Sequence, residues 1–372
     1  MVHTALSSAA CKAISTNGTS LIRDGRPLFL NGVNLAWVDW GTDFVAEPAT
    51  AGAPAYCGWE EALRFVAGNG GNAVRVWLFT DPARQLTWHD TGRVAGTAPG
   101  VFTMVQTLLA LAAHYGVVVV LTLFNGALAQ SAEACSLFSD DAVLASLLES
   151  VVTPLAHAVR GYHSLGLIDV INEPEGLVDV WASSIEAGAE QVCGAVDGVS
   201  DCAGTRDGPG WNEQCRFPLH RMQRFINRVA GAIKGVDESL LLTVGSWHAC
   251  AASVDAANAG AAPSGARHLF SDACLLGAGG DVRGRVDVRQ VHAYPKEPSA
   301  AGRPGALFDI HSAVGRSAAS LHVRTPVFIG EVSSRWDESH STAASPTSAV
   351  TYSMARLHVD ALHAGYAGVL YA

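Results

Sequence analysis

A chain of 372 residues that is 49% hydrophobic and only 16% charged can bury a large core, and this composition excludes a disordered chain. Its formal net charge of −10 argues against nucleic acid and against anionic membrane surfaces as partners. There is no uninterrupted apolar run of roughly 18 residues, which argues against a membrane-crossing helix, and the opening stretch MVHTALSSAACKAIS has neither the basic nor the apolar region of a secretory leader.

Along the chain, short apolar runs alternate with longer helical patterns, the mark of βα units and a parallel sheet. Arg23-Asp24-Gly25-Arg26 predicts a hairpin turn between strands at 20–22 and 27–30. Residues 1–27 are expected to form a segment that caps the bottom of the domain spanning 28–372. Strands are predicted at 29–35, 73–78, 117–123, 167–171, 240–245, 286–291, 327–330 and 368–371. Several are unbroken apolar runs, such as Val117-Val118-Val119-Val120-Leu121, as expected of strands covered on both faces. Helices are predicted at 59–67, 102–115, 141–162, 218–234, 308–321 and 349–363, with a short one within 249–258. Eight strands in this order predict a single (β/α)8 barrel rather than an open sheet. Asn31-Gly32-Val33-Asn34 after the first strand is not a dinucleotide-binding glycine loop. The run 368–371 is followed only by Ala372, so the eighth helix is missing and the natural protein is expected to continue or this chain to be a fragment.

The eight cysteines include no CxxC pair, which argues against a zinc ribbon or a thioredoxin-type site. Cys193, Cys202 and Cys215 cluster in a loop rich in Gly, Asp and Pro, and they are expected to staple it by disulfides. With the sequon Asn17-Gly18-Thr19 this points to a secreted, extracellular protein. The loop at 174–217 is the longest departure from the repeating pattern, and long loops in compact domains usually carry function.

Barrel enzymes set catalytic groups at the C-terminal ends of their strands, so the polar residues ending each apolar run are the candidates. Strand four ends in Asn172-Glu173-Pro174, strand seven in Glu331, strand two carries Arg75, and strand six ends His292-Ala293-Tyr294. Taken singly, each has an ordinary explanation. Glu before Pro often only opens a loop, a lone Arg is more often in a structural ion pair, and a lone His at a strand end is more often a satisfied core residue. On strands two, four, six and seven of one barrel they form a constellation. Two facing carboxylates are what glycoside hydrolysis needs: one acid protonates the leaving oxygen, while the other attacks the anomeric carbon when the two lie about 5 Å apart. Arg75 would keep Glu331 ionised, Tyr294 could bond the nucleophile, and His292 could orient either carboxylate. Pro174 is expected to bias Glu173 to an extended backbone. Glu175 is read as a solvated or helix-start charge. Trp37, Trp77, Trp247 and Trp336 lie at strand ends or just beyond, where aromatic faces suit sugar rings.

The set NEP, Gly-Glu, Arg-Val-Trp and His-x-Tyr resembles glycoside hydrolase family 5 of clan A. The stretches NGVNLAWVDWGTDF, GGNAVRVWLF, HSLGLIDVINEPEG, RFINRVAGAIKGVDESLLLTVGSW and VRQVHAYP resemble in particular the endo-β-1,4-mannanases of molluscs and small arthropods, over about 28–371. That resemblance implies cleavage of internal β-1,4-mannosidic bonds with retention. The partner would be a polysaccharide: β-mannan, glucomannan or galactomannan. No metal and no cofactor are implied, and a monomer is expected. It makes Glu173 the acid/base and Glu331 the nucleophile, with Arg75, Asn172, His292, Tyr294 and Trp247 around the cleaved bond; Trp37 and Trp336 join them as aromatic contacts. Two departures stand out. The tryptophan usual at the end of strand eight is missing from Gly368-Val369-Leu370-Tyr371, so either Tyr371 substitutes for it or it is expected beyond Ala372, and the segment 78–94 differs from close relatives. Alternatives are an endo-β-1,4-glucanase of the same clan and a glycan-binding barrel without activity; the presence of both glutamates argues against the second.

Overall fold

A computed structural model of the protein describes residues 13–40, 43–45, 54–126, 131–179, 215–246, 269–293, 324–332 and 354–372. Three short antiparallel strands come first, β1 (Ser15–Asn17), β2 (Ser20–Arg23) and β3 (Arg26–Leu28). The β2–β3 turn uses Asp24 and Gly25, both at positive φ (53° and 75°), which a two-residue hairpin turn requires. The next strands are β4 (Leu30–Asn34), β5 (Ala73–Phe79), the small antiparallel pair β6 (Leu86–Trp88) and β7 (Val94–Thr97), then β8 (Val118–Asn125) and β9 (Leu165–Asn172). A parallel bridge joins β10 (Val178–Asp179) to β11 (Phe217–Pro218). The last four strands are β12 (Leu242–Ser246), β13 (Arg289–Ala293), β14 (Val327–Val332) and β15 (Gly368–Tyr371). Eight of these close a parallel barrel in the order β4-β5-β8-β9-β12-β13-β14-β15, as expected from the repeating pattern.

Most of the barrel strands are buried on both faces, which is why they read as apolar runs, whereas β4 is half-buried at Asn31, Val33 and Asn34. Val74, Val76 and Leu78 of β5 and Val119, Leu121 and Leu123 of β8 pack outward in the layer between strands and helices. Ala73, Val118, Val120, Leu167, Val288 and Phe328 form a second cluster, and Leu21 of the N-terminal strands and Ile14 are part of it. On β4, Gly32 lies so close to β5 that a Cβ there would collide with the Ala73 carbonyl.

The helical region 141–162 differs from expectation. It runs as an α-helix over Asp141–Leu147, widens to a π-turn at Leu148–Val152, and resumes at Thr153–Val159. Pro154, near the start of the last piece, has no N–H to donate, and the wider turn takes up the mismatch. Despite the absence of an unbroken apolar run, Asp141–Val159 has a mean hydropathy of 1.6, high enough and long enough to cross a membrane. Val143, Leu144, Leu147, Val151, Leu155 and Val159 bury that apolarity in the core, so it is explained as a core helix. The segment 78–94 holds a helical turn (Pro82–Gln85) and begins the β6–β7 hairpin. The predicted helices at 249–258 and 308–321 lie outside the described residues.

A disulfide does hold the end of this loop, and its partner, which spacing left open, lies outside it: Cys215 bonds Cys135, on the helix Ala132–Ser139. Phe138 stacks on Phe217 at 5.6 Å, bringing that helix against the far end of the long loop. Cys215 thus ties the loop's end to the barrel wall, and Cys193 and Cys202 lie outside the described residues. Cys274 is also disulfide-bonded, and Cys57 is free and exposed.

Candidate active site

Arg75, fully buried on β5, is the hub of the barrel mouth. Its Nε and Nη2 donate to Asp169 Oδ2 at 3.0 and 2.7 Å, and Nη2 also donates to Asn172 Oδ1 at 2.6 Å. Its Nη1 donates to Asn34 Oδ1 at 3.1 Å and to Glu331 Oε1 at 2.6 Å. The guanidinium lies 4.3 Å over the ring of Trp77. A buried cation is tolerable only when paired and hydrogen-bonded; here two carboxylates raise its pKa against the effect of burial, so it stays charged. Asp169 takes a further bond from Thr122 Oγ1 at 3.1 Å and, on its other oxygen, one from the Gly245 N–H at 3.0 Å.

Strand irregularities aim these groups. Along β9, Asp169 pairs with Thr243 but Asn172 with Gly245, so β9 holds one extra residue there. Side chains alternate along a regular strand, and residues three apart would face opposite ways; the bulge lets both reach Arg75. Likewise Val291 pairs with Ile329 but His292 with Glu331, and the extra residue in β14 turns Glu331 into the mouth beside His292.

Glu173 follows β9 in the left-handed region, at φ 47° and ψ 55°, not in the extended form expected before proline. Its N–H is held by the Gly245 carbonyl at 2.6 Å. The chain must then turn at once into the 3-10 helix Pro174–Leu177, and those constraints outweigh the preference set by Pro174. A Cβ on Gly126 would stand 2.5 Å from the Glu173 carbonyl oxygen, so glycine there makes room for this turn. Glu175, read as a solvated or helix-start charge, does lie in the first turn of this 3-10 helix, but it is buried there rather than solvated.

The two glutamates meet at His292. Its Nδ1 lies 2.8 Å from Glu173 Oε1 and 3.6 Å from Glu331 Oε2, and one oxygen of each glutamate and this nitrogen all lie within 4.8 Å of one another. By distance the three could hold a cation, but Arg75 already supplies Glu331 with positive charge. Burial raises the pKa of Glu173, and the charge of Glu331 adds to this, outweighing the opposing pull of Arg75 and of any bond donated by His292.

Five of the candidates read from the sequence, Arg75, Asn172, Glu173, His292 and Glu331, therefore come together. Trp37 is 38% exposed just beyond β4 and packs edge-on against Trp40, itself 46% exposed, at 4.4 Å. Trp77 is buried under Arg75 rather than displayed as a platform. Trp247, Tyr294 and Trp336 lie outside the described residues. Sequence reasoning missed Asp169, Thr122, Gln290 and Trp40, and it gave Asn34 no role. The signal for the first three was there: a polar residue inside a strand buried on both faces must have a partner.

No protein-family model matches the chain. It is 31% identical over 331 residues, 87% of this chain and 81% of the other, to a mannan endo-1,4-beta-mannosidase of Mytilus edulis. It is 30% identical over 287 residues, 76% of this chain and 68% of the other, to one of Cryptopygus antarcticus. The solved β-mannanase of Mytilus edulis superposes with a TM-score of 0.76 at 27% identity, covering 97% of this chain and 91% of that one. The β-1,4-D-mannanase of Cryptopygus antarcticus gives 0.77 at 26%, covering 97% and 88%. With its eight-stranded parallel barrel and this degree of likeness along most of its length, the chain belongs to the endo-β-1,4-mannanase group of glycoside hydrolase family 5, and it is a glycoside hydrolase.

Proposed function

We infer that this chain cleaves internal β-1,4-mannosidic bonds in mannan-type polysaccharides, with retention, through Glu173 as acid/base and Glu331 as nucleophile. One observation carries the reading: two glutamates at the barrel mouth, their side chains only 12% and 10% exposed, have oxygens within 4.8 Å of each other. Retaining hydrolases set their carboxyl groups about 5–5.5 Å apart, whereas inverting ones leave about 6.5–9.5 Å for a water. The names of the relatives support the substrate class.

In the first step Glu173, its pKa raised by burial, gives its proton to the leaving glycosidic oxygen. Glu331 attacks the anomeric carbon, with Arg75 as its counter-charge. In the second step the Glu173 carboxylate takes a proton from water, the water oxygen bonds the anomeric carbon, and the bond to Glu331 breaks. Asn172, its Oδ1 held by Arg75 and its Nδ2 donating to Asn125 Oδ1 at 3.4 Å, has a second amide N–H to offer a sugar hydroxyl. Trp37 and Trp40 offer apolar faces to neighbouring rings; Trp247 and Tyr294 are carried over from the resemblance, and Trp336 from its place in the sequence just beyond strand seven. A polymer substrate and the Cys135–Cys215 disulfide both support an extracellular site of action.

The test is reducing-sugar release from linear mannan and from carboxymethylcellulose, side by side. Release from mannan alone is expected; release from cellulose alone would move the specificity to the glucanase alternative. Glu173→Gln and Glu331→Gln should each lower kcat on mannan by at least about 10²-fold. Unchanged activity in either variant would remove that residue from the mechanism.

A further inference from the structure

We propose that Gln290 is a positioning residue that fixes the tautomer of His292 and thereby keeps the acid/base proton on Glu173. The proposal rests on the reading of Glu173 given above. Gln290 is buried on β13, with its amide between Arg75 and His292. An amide can be turned either way about its last bond, and its partners decide which way is correct. With its NH2 group toward the guanidinium, donors face donors. Turned the other way, Oε1 accepts from Arg75 Nε at 3.3 Å, from Arg75 Nη2 at 3.2 Å and from His292 Nε2 at 3.0 Å.

That acceptor obliges His292 Nε2 to carry a proton. The same oxygen already holds two N–H groups of the Arg75 cation, so nothing on this side favours a second positive charge on the ring. In the proposed arrangement the ring is the Nε2–H tautomer, so Nδ1 turns a lone pair toward Glu173 Oε1, 2.8 Å away, while Glu331 Oε2, 3.6 Å from the same nitrogen, has its charge met by Arg75. The proton between them belongs to the carboxylic acid. Ionising Glu173 would set a carboxylate oxygen against that lone pair, and a hydrogen bond that needs the neutral form of an acid holds the acid in that form. A neutral acceptor is what position 290 requires, since a carboxylate there would favour an imidazolium that donates to Glu173 and releases its proton. Among the described residues, the charged groups around the Glu173–His292 pair are Arg75 on β5, Asp169 on β9 and Glu331 on β14.

The neighbouring strands leave space for this amide. A Cβ on Gly330 of β14 would collide with it, and one on Gly245 of β12 would stand 2.9 Å from it and 2.8 Å from Arg75 Nη2.

The direct test needs no variant: nitrogen-15 NMR of the histidine-labelled protein, with the His292 signals assigned by their loss in His292→Gln. A protonated Nε2 and a bare Nδ1 are expected, and the reverse pattern would overturn the proposal. A second measurement is the pH profile of kcat/KM on mannan for Gln290→Met. Freed from its acceptor, the ring can donate from Nδ1 to the Glu173 carboxylate. The alkaline limb should then move down by about one unit, with a loss of about tenfold at the optimum. A loss of height with unmoved limbs would mean that Gln290 only packs, and it would sink the idea. Full activity in Glu173→Gln would instead refute the functional reading and leave the ring spectrum to decide the tautomer by itself.

Discussion

Glu173 is one of two non-glycine residues at positive φ among those described, a conformation that costs about 1–3 kcal/mol when the surroundings impose it. It is also a buried acid whose pKa is raised, first by desolvation. A group whose folded pKa lies above its unfolded value stabilises the fold fully at low pH, and that contribution is lost as pH rises toward the folded pKa. Glu173→Gln has no charge to bury. Its melting temperature should therefore gain on the unaltered protein as pH rises from the ordinary glutamate range toward neutrality, even as activity collapses. Melting curves at several pH values check this; parallel curves would mean that Glu173 ionises without cost. At this scale the sequence was informative for residues that end an apolar run, because a strand's C-terminal end is where a barrel displays its chemistry. It marked Asp169 and Gln290 only as polar residues inside buried strands and could not name their partners, which come from strands far away in sequence; the left-handed turn at Glu173 left no mark, because it is set by neighbouring strands.

At the scale of elements, all eight barrel strands were legible as apolar runs, and their ends shift by a few residues because pairing partners decide where a ladder stops. The bulges in β9 and β14 were not legible: an inserted residue leaves no mark in an apolar run, yet it decides which way Asn172 and Glu331 face. The π-turn before Pro154 was missed by reading 141–162 as one helix, although a proline inside a helical pattern marks an irregularity without giving its form. Disulfide pairing depends on tertiary contact and could not be read from spacing. The Cys135–Cys215 bond spans a separation of 80 residues, and closing so long a loop restricts the unfolded chain considerably. Replacing both cysteines by Ser should lower stability by about 2–5 kcal/mol, read as a shift in the denaturant midpoint. A negligible shift would show that the packing of Phe138 on Phe217 holds this end of the loop without the bond.

Over the whole molecule, a (β/α)8 barrel separates its tasks along its axis: chemistry gathers at the C-terminal ends of the strands and stability at the N-terminal ends. Here Arg75, Glu173, His292 and Glu331 meet at the first end. At the other, Leu21 and Ile14 pack with Ala73 and Val118, the opening residues of β5 and β8. The strands between the two ends are joined edge to edge in a closed ring, so a cavity at the bottom weakens the whole fold without redirecting any side chain at the mouth. Leu21 is fully buried, and Leu21→Ala should cost about 2–5 kcal/mol through the cavity it leaves. Its kcat and KM on mannan should match those of the unaltered protein at temperatures where both are folded. Denaturant unfolding and steady-state kinetics on the same preparation measure the two quantities together. A variant that lost kcat while keeping its stability would mean that the bottom of the barrel controls the geometry of the glutamate pair, and the division of labour along the axis would fail for this chain.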